Sequence, residues 1–388
     1  MVDMATTVSD VYDLPQEHKD FRDTIRQIVD DRVRPRAADI DREGEYPWDV
    51  RKLLAEQDIL ALPFAEEHGG TGTGTLMLQV AVEEIARACA SSALILMIQE
   101  LGTLPIQMFG SDAMKERLLP RCASGEWSPA FCLSEPEAGS DAGALRTTAV
   151  RDGDEWVING SKNWITNASI ADFYVVFART SSEDGRPRMS AFVVEKDRPG
   201  FSVPKLEHKL GIKGSPTGSP VFEDVRVPAE NLIGTEGKGL SMALATLERT
   251  RLGAAAQAVG IAQGATDYAN GYAKERIAFG NPIHDLQGIQ FKLADMETRT
   301  AAARELLYKA CAMADRNERD LGKWTSMAKL FASDTAMAVT VEAVQVLGGY
   351  GYVNEYPVER MMRDAKITQI YEGTNEIQRL VIARAMRG

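Results

Sequence analysis

The chain has 388 residues, of which 44% are hydrophobic, and its 44 basic and 56 acidic side chains give a formal net charge of -12. A chain of this length and apolar content buries a large core, so intrinsic disorder is excluded and two or three domains or layers are expected. The negative charge disfavours nucleic acid as a partner, although a local basic site for one anionic ligand stays open.

The four cysteines and four histidines are scattered along the chain without any metal-type spacing. This distribution argues against a structural zinc site. Few cysteines in a long chain fit a reducing compartment, so we expect a cytoplasmic protein. The N-terminus lacks the basic and apolar regions of a secretory signal, and the longest apolar stretch, at residues 93–98, is shorter than the ~20 residues of a membrane span. We therefore expect no association with a membrane.

The first region of the chain is predicted to be helical. Between residues 15 and 124 apolar side chains recur at helical spacing, as in Phe21 and Ile25. We assign residues 1–125 to an N-terminal all-α domain. The glycine-rich run at 69–74 is predicted to be a loop between helices, because no strand precedes it and the spacing of a dinucleotide-binding loop is missing.

The middle region, residues 126–238, is predicted to be an antiparallel β-barrel or sandwich. The pairs Asp152–Gly153 and Asn159–Gly160 predict turns between strands. Runs rich in β-branched and aromatic residues mark the strands, and they lie at 147–150, 155–158, 173–177 and 191–194.

The last region, residues 239–388, returns to long helical periods and is predicted to form a four-helix bundle. The predicted helices span 240–274, 287–317, 321–347 and 375–387. The resulting fold class is α+β, with the order α, β, α along the chain.

One acidic residue near the C-terminus stands out as a candidate catalytic base. Glu372 lies between apolar residues that include Tyr371 and a glycine, Gly373, that permits close backbone approach to a ligand. Desolvation in such a setting raises the pKa of a carboxyl group and makes it a stronger base. On this motif alone, a solvated surface carboxylate is the commoner outcome.

Five segments in a fixed order give this acid a context. They lie at 131–141, 162–167, 276–280, 345–349 and 371–374. Together they resemble the acyl-CoA dehydrogenase family, and the resemblance extends from about Phe21 to the C-terminus. It implies FAD-dependent α,β-dehydrogenation of an acyl-CoA thioester, with an electron-transfer flavoprotein as electron acceptor. It also implies a homo-oligomer, which we expect to be a tetramer, because family members share the cofactor between subunits.

The chemistry explains why the family needs both a carboxylate and a flavin. No side chain accepts a hydride, so a flavin must take it from the β-carbon while a base removes the α-proton. By the resemblance that base is Glu372, and its amide binds the thioester carbonyl where Gly373 leaves room. Some relatives carry their base at the position that Thr250 occupies here. Because that position is a threonine in this chain, Glu372 has no competing candidate for the base.

The resemblance also implies the FAD contacts. Residues expected to line the flavin ring are Phe131, Cys132, Leu133, Ser134, Gly139, Ser140, Trp164, Ile165 and Thr166. Residues expected to reach a dinucleotide held mainly by the neighbouring subunit are Arg276, Phe279, Gln287, Gln345, Val346, Leu347, Gly348 and Gly349. Thr374 and Glu376 complete the adenine side, and the acid at 376 would repel a diphosphate unless it points at ribose hydroxyls. Without the resemblance, Trp164 reads most simply as a core aromatic.

For the substrate, the resemblance implies contacts from Ser140, Glu248, Arg251, Tyr371 and Gly373. Arg251 could equally form a surface salt bridge. Bulky side chains in the helix at 93–101, which floors the acyl pocket in relatives, favour a short or branched acyl chain. Two alternatives stay open, namely an acyl-CoA oxidase of the same fold and a non-catalytic scaffold relative.

Overall fold

This computed structural model describes residues 14–181 and 187–387 of the chain. Residues 1–13, on which the expectation about a signal sequence rests, lie outside the described residues. Helices, then strands, then helices follow one another along the chain. The predicted fold class is therefore confirmed.

The N-terminal part of the described chain folds into helices that surround two long, buried ones. The helices are α1 (Gln16–Ile28), α2 (Ala37–Glu43), α3 (Trp48–Glu56), α4 (Gly74–Ala88), α5 (Ala90–Phe109) and α6 (Asp112–Ala123). The glycine run ends where α4 begins at Gly74, as the prediction of an inter-helix loop requires. Helix α6 starts at a serine cap, since Ser111 Oγ accepts the Met114 amide at 3.3 Å.

The middle part is built on an eight-stranded sheet with one small two-stranded ribbon. Its strands are β1 (Pro129–Cys132), β2 (Thr148–Asp152), β3 (Glu155–Ser161), β4 (Ile165–Thr166), β5 (Phe173–Ser181), β6 (Pro187–Glu195), β7 (Phe201–Ser202), β8 (Thr217–Gly218), β9 (Val221–Pro228) and β10 (Leu232–Ile233). The main order is β10-β6-β5-β2-β3-β9-β7, with β1 also on β5, while β4 pairs with β8. Most pairs are antiparallel, but β1 and β2 both run parallel to β5.

The two predicted turns of this region have different outcomes. Strands β2 and β3 form the expected hairpin around Gly153, whose φ is +63°. The Asn159–Gly160 turn prediction is wrong, because β3 continues through both residues with a register shift against β9. A Cβ on Gly160 would lie 2.6 Å from Thr147 Oγ1, so this glycine permits a bulge and a close approach to Thr147.

The C-terminal part contains the four predicted helices and one more. The elements are α7 (Gly239–Glu275), the hairpin β11 (Ile277–Ala278) and β12 (Asn281–Pro282), α8 (Gln287–Asp315), α9 (Leu321–Leu347), α10 (Pro357–Ala365) and α11 (Asn375–Ala385). Helices α7, α8, α9 and α11 match the predicted bundle. Helix α10 is an addition to the prediction, although its buried residues Val358, Met361 and Ala365 lie at helical spacing.

The helices from the two ends of the chain share one core. Helices α4 and α5 both pack on α7, and one apolar cluster contains residues from all three. Glycines permit this contact, because a Cβ on Gly260 or Gly264 would lie 2.2 Å from a backbone oxygen of α4. The division at 1–125, 126–238 and 239–388 remains a proposal, since this core joins the first and last of those segments.

Among the residues that the structure describes, two helical segments are long and apolar enough to cross a membrane by length and composition alone. They are Ala90–Phe109 and Leu321–Tyr352, the second being α9 with the 3₁₀ turn that follows it. Their most apolar windows are 72% and 50% buried inside the protein. Helix α5, the first of them, lies in the shared core. Its apolar character is therefore accounted for by packing against the rest of the chain.

Candidate active site

The Glu372 turn lies between α10 and α11 and has an unusual backbone. Glu372 and Gly373 both adopt left-handed conformations, with φ of +55° and +88°. A left-handed residue other than glycine costs about 1–2 kcal/mol, so the surrounding structure must hold it. Gln378 does part of this, because its Nε2 donates to the Glu372 and Gly373 carbonyls at 3.2 and 2.9 Å. A Cβ on Gly373 would lie 2.6 Å from the same nitrogen, which explains the glycine.

The carboxyl group of Glu372 points at helix α7. Thr250 Oγ1 donates a hydrogen bond to Glu372 Oε2 at 3.0 Å. Burial raises the pKa of Glu372, and the Thr250 hydrogen bond and the charges of Arg251 and Lys329 oppose that rise only in part. The group therefore has the raised basicity that the sequence predicts, while a hydrogen bond fixes its direction.

Arg251 is buried beside this carboxyl group. Its Nε donates to the Leu247 carbonyl at 2.9 Å and its Nη1 donates to Ser326 Oγ at 2.6 Å. Burial lowers the pKa of Arg251, while the negative charges of Glu372 and Glu248 raise it. The alternative of a surface salt bridge is therefore wrong.

Tyr371 ties the turn to the shared helical core. Its hydroxyl donates to Gln257 Oε1 on α7, and Gln257 Nε2 donates to the Ala90 carbonyl on α5 at 2.9 Å. Sequence reasoning did not predict that Gln257, Gln378 and Lys329 support this turn. Polar side chains on the buried face of an otherwise apolar helix are the signal that could have found them.

Trp164 does not lie in the core. Its side chain is 61% exposed, and its backbone is left-handed with φ of +62°. The segment around it is fixed, since the Asn163 amide donates to the Ser134 carbonyl at 2.9 Å and Thr166 pairs with Thr217. A rigid loop that presents an uncovered indole fits a flat aromatic cofactor such as a flavin ring.

A buried ion pair joins the two loops predicted to face the flavin. Lys162 Nζ donates to Glu135 Oε1 at 2.7 Å and to the Leu133 carbonyl at 3.3 Å. Glu135 also accepts the backbone amides of Arg146 and Thr147. Both the ammonium group and the carboxylate therefore have hydrogen-bond partners, as a stable buried ion pair requires.

The other residues predicted at the flavin ring occupy different environments. Phe131 and Leu133 are buried towards the helices, whereas Cys132 points to the opposite side of β1 and is completely buried in the sheet core. The Cys132 side chain therefore cannot touch a cofactor, and only its backbone remains available. Ile165 is also buried, while Gly139 and Ser140 lie on an exposed loop.

The predicted dinucleotide group splits in the same way. Its exposed members are Arg276, Phe279, Gln287, Gln345, Gly348 and Gly349, whereas Val346 and Leu347 are buried in the helical core. The Arg276 guanidinium lies 5.3 Å from the Tyr350 ring centre, which brings the hairpin after α7 together with the end of α9. Phe279 is 91% exposed and leaves an uncovered aromatic on that hairpin.

Thr374 and Glu376 line an open cleft of ≈ 320 Å³ that also includes Asp334, Lys366 and Arg379. Glu372 is not among its lining residues. Hydrogen bonds from its own amide and from Thr374 lower the pKa of Glu376, so this exposed side chain is ionised at neutral pH. The expectation that Glu376 repels a diphosphate unless it points at ribose hydroxyls stays a prediction.

A second buried acid shares the space beside Glu372. Glu100 on α5 accepts a hydrogen bond from Gln79 Nε2 at 3.3 Å. Burial raises its pKa to about 8, and the charge of Glu372 contributes to the rise. Met97, also on α5, lies 3.5 Å from where a Cβ on Gly253 of α7 would be. Helix α5 therefore faces the part of α7 that carries Thr250, the hydrogen-bond donor to Glu372. Sequence reasoning did not single out Glu100.

Comparison with known proteins shows the family to which the chain belongs. The N-terminal, middle and C-terminal domain models of acyl-CoA dehydrogenases match residues 15–126, 130–225 and 237–387. A probable acyl-CoA dehydrogenase of Mycobacterium tuberculosis is 47% identical over 97% of both chains. A cyclohexane-1-carbonyl-CoA dehydrogenase of Geobacter metallireducens is 48% identical over 96% of this chain and 98% of its own.

Solved structures agree with these relatives. Butyryl-CoA dehydrogenase from Megasphaera elsdenii superposes with a TM-score of 0.93 at 43% identity, covering 97% of this chain and 100% of its own. A chain from work on the electron transferring flavoprotein of Acidaminococcus fermentans gives 0.93 at 42% identity, covering 97% and 99%. A glutaryl-CoA dehydrogenase from Mycobacterium smegmatis in complex with FADH2 gives 0.91 at 30% identity, covering 96% and 95%.

The fold and these matches define a flavin-dependent oxidoreductase that acts on acyl-CoA thioesters. The chain belongs to the acyl-CoA dehydrogenase family. Its cofactor is accordingly FAD.

Proposed function

We propose that this enzyme converts a short or branched acyl-CoA to the trans-2-enoyl-CoA, with Glu372 as the base that removes the α-proton. The observation that carries the proposal is the Glu372 carboxyl group, which is held by Thr250 at 3.0 Å and whose pKa burial raises. FAD, when bound, would supply the acceptor for the hydride from the β-carbon. The carbon–carbon double bond then forms from the electron pair left by the α-proton.

The thioester is proposed to lie against the Glu372 turn. Its carbonyl oxygen would accept the Glu372 N–H, and this contact strengthens as negative charge develops on that oxygen. Gly373 is proposed to contact the substrate through its backbone, since a Cβ there would point at Gln378 Nε2. Arg251 acts here by supporting α7 and the carboxyl group, while the exposed Ser140 and half-buried Glu248 are proposed to meet the CoA portion.

The flavin is proposed to rest between the exposed Trp164 and the loop that carries Ser134, with Thr166 at its polar edge. Backbone atoms of residues 131–134 and the exposed Gly139 and Ser140 complete that side. The exposed group around Arg276 and Phe279 is proposed to serve the dinucleotide of a second subunit, with Gln287, Gln345, Gly348 and Gly349. Thr374 and Glu376 would serve the adenine side from this subunit, with Glu376 directed at ribose hydroxyls rather than phosphate.

The acyl pocket is proposed to lie between α5 and α7. Met97, Leu96 and Ile98 are all buried, and Met97 approaches Gly253, one helical turn beyond Thr250. A pocket closed by these side chains has little room for a long chain. The names of two relatives, a cyclohexane-1-carbonyl-CoA dehydrogenase and a butyryl-CoA dehydrogenase, support a compact acyl group.

The electron acceptor, the oligomeric state and the cellular location are part of the same proposal. An electron-transfer flavoprotein would reoxidise the reduced enzyme, as the Acidaminococcus relative suggests. A homotetramer would cover the exposed aromatic hairpin and bring two subunits to one cofactor. The cytoplasm is proposed as the location, because the four cysteines are buried free thiols.

A substrate panel tests the proposal. Holoenzyme is mixed under anaerobic conditions with butyryl-, isobutyryl-, isovaleryl-, cyclohexane-1-carbonyl- and octanoyl-CoA, and bleaching of the flavin is followed. We expect one of the compact thioesters to bleach the flavin fastest, and a clear octanoyl optimum would overturn the proposed substrate class. Peroxide formation in air at the rate of turnover would instead identify an acyl-CoA oxidase.

A further inference from the structure

Lys329 on α9 is a completely buried lysine directly beneath the Glu372 turn. Its Nζ donates to the Gly373 carbonyl at 2.8 Å and to Asn375 Oδ1 at 2.9 Å. Asn375 is the first residue of α11, so one ammonium group connects α9 to both the turn and the helix that follows it. These contacts lie next to Glu372 and Gly373, the two left-handed residues that set the direction of the Glu372 side chain.

A charged group is not needed to satisfy these hydrogen-bond acceptors. The Gly373 carbonyl already accepts Gln378 Nε2 at 2.9 Å, and Asn375 Oδ1 also accepts Ser333 Oγ at 3.1 Å. Burying an ammonium group costs free energy that a neutral donor would not cost. The free-energy cost of burying the positive charge must therefore be offset by a negatively charged group, in addition to the two hydrogen bonds.

The nearby charges identify that partner. The groups that act on Lys329 are Glu372 in the turn, Arg251 on α7, Asp334 on α9 and Glu376 on α11, and the attraction of Glu372 is the largest of these. Asp334 is already engaged by Arg379 at 3.1 Å and by Asn375 at 2.7 Å, and Glu376 is exposed. Burial lowers the pKa of Lys329 to about 7, so the ammonium form predominates below neutral pH.

We propose that Lys329 is a positioning residue for Glu372: its ammonium group fixes the left-handed turn through Gly373 and Asn375, and its charge favours the ionised carboxylate. The inference rests on the proposed function only where it calls Glu372 the base. Gln378 supplies a neutral hydrogen bond to the same turn, whereas Lys329 supplies both a hydrogen bond and a charge. Loss of the charge is what separates this role from a purely structural one.

The test titrates Glu372 directly in substrate-free holoenzyme. The infrared band of its protonated carboxyl group is assigned by difference from Glu372→Gln and followed against pH in the wild type and in Lys329→Met. We expect the Glu372 midpoint in Lys329→Met to rise by about one pH unit, as expected for removal of a neighbouring opposite charge. The acid limb of the kcat/KM profile, which reports ionisations of the free enzyme, should move to higher pH with it. An unchanged Glu372 midpoint overturns the inference.

A matched control separates this effect from the loss of any buried lysine. Lys209 is half-buried and donates to the Ser215 carbonyl at 2.6 Å, but the charges that act on it are Asp364 and Glu207. Lys209→Met should leave the Glu372 midpoint unchanged, and an equal rise in this variant would overturn the inference. Should Lys329→Met fail to fold, Lys329→Gln keeps a neutral donor and must show the same rise.

The two readouts distinguish the inference from the function on which it rests. If the Glu372 midpoint rises in Lys329→Met while the acid limb of kcat/KM stays in place, the charge role of Lys329 is supported and Glu372 is not the base. If Glu372→Gln abolishes turnover but the Glu372 midpoint in Lys329→Met matches the wild type, Glu372 remains the base and the role of Lys329 is overturned.

Discussion

Thr250 and Glu372 are 122 positions apart in the chain, yet the Thr250 hydroxyl donates to the Glu372 carboxyl group at 3.0 Å. The family resemblance places the base of some relatives at the position of Thr250. In this chain that position holds a hydrogen-bond donor, and the acid arrives from the C-terminal turn. Helix α7 therefore orients a carboxyl group, proposed as the base, that it does not itself supply.

Thr250→Val tests this relationship with a nearly isosteric change. Loss of the hydrogen bond removes an effect that lowers the pKa of Glu372, so the acid limb of kcat/KM should move to higher pH. Thr250 Oγ1 also contacts the Thr246 carbonyl at 3.2 Å, so one hydroxyl group is shared between two acceptors. We therefore expect transition-state stabilisation to fall by roughly 1 kcal/mol, which lowers kcat/KM about fivefold at low pH. Thr266→Val on the same helix is the control, and an equal shift there would contradict the specific role of Thr250.

Trp164→Ala tests the flavin-facing loop. The indole is 61% exposed without a ligand, so its removal should cost the fold little but weaken FAD binding by about 0.5–1.5 kcal/mol, roughly 2- to 12-fold in Kd. The measurement is FAD fluorescence titration of the apoprotein. Trp48→Ala removes another indole, 55% exposed, from the N-terminal helices and should leave the affinity unchanged. Equal FAD affinity in Trp164→Ala and the wild type would exclude the stacking role.

Glu100 predicts a dependence of stability on pH. Its pKa in the folded protein is raised to about 8 from an ordinary value of 4.5. Between these values the folded state holds a proton that the unfolded state has released, so stability falls as pH rises through this window. Urea unfolding of the holoenzyme at several pH values should show a smaller decline in Glu100→Gln than in the wild type. Identical pH slopes for the two proteins would show that Glu100 is ionised in the fold.

The sequence could predict the layers of the fold and single out the acid that is proposed as the base, because both depend on local patterns. Helix periodicity located α7, α8, α9 and α11, and the family motif singled out Glu372. The same patterns could not show that Asn159–Gly160 continues a strand, since the close approach of Thr147 to Gly160 is a long-range contact. Nor could they show that α4 and α5 share a core with α7.

The support of the site was harder to predict than its chemistry. Alternation along β1 places Cys132 on the face opposite Phe131, so membership of a motif did not imply side-chain contact. The exposure of Trp164 depends on a left-handed backbone that the residue type does not indicate. Lys329, Gln257 and Gln378 act through contacts between helices, and only their polar character on buried helix faces could have indicated a role.

Anaerobic reduction of the holoenzyme by butyryl-CoA tests the proposed base most directly, with flavin absorbance recorded in the wild type and in Glu372→Gln. We predict that the variant keeps its yellow colour and its FAD content, while bleaching slows by about 10²–10⁴-fold, because the α-proton has lost its acceptor. Bleaching of Glu372→Gln at the rate of the wild type would contradict the assignment of Glu372 as the base.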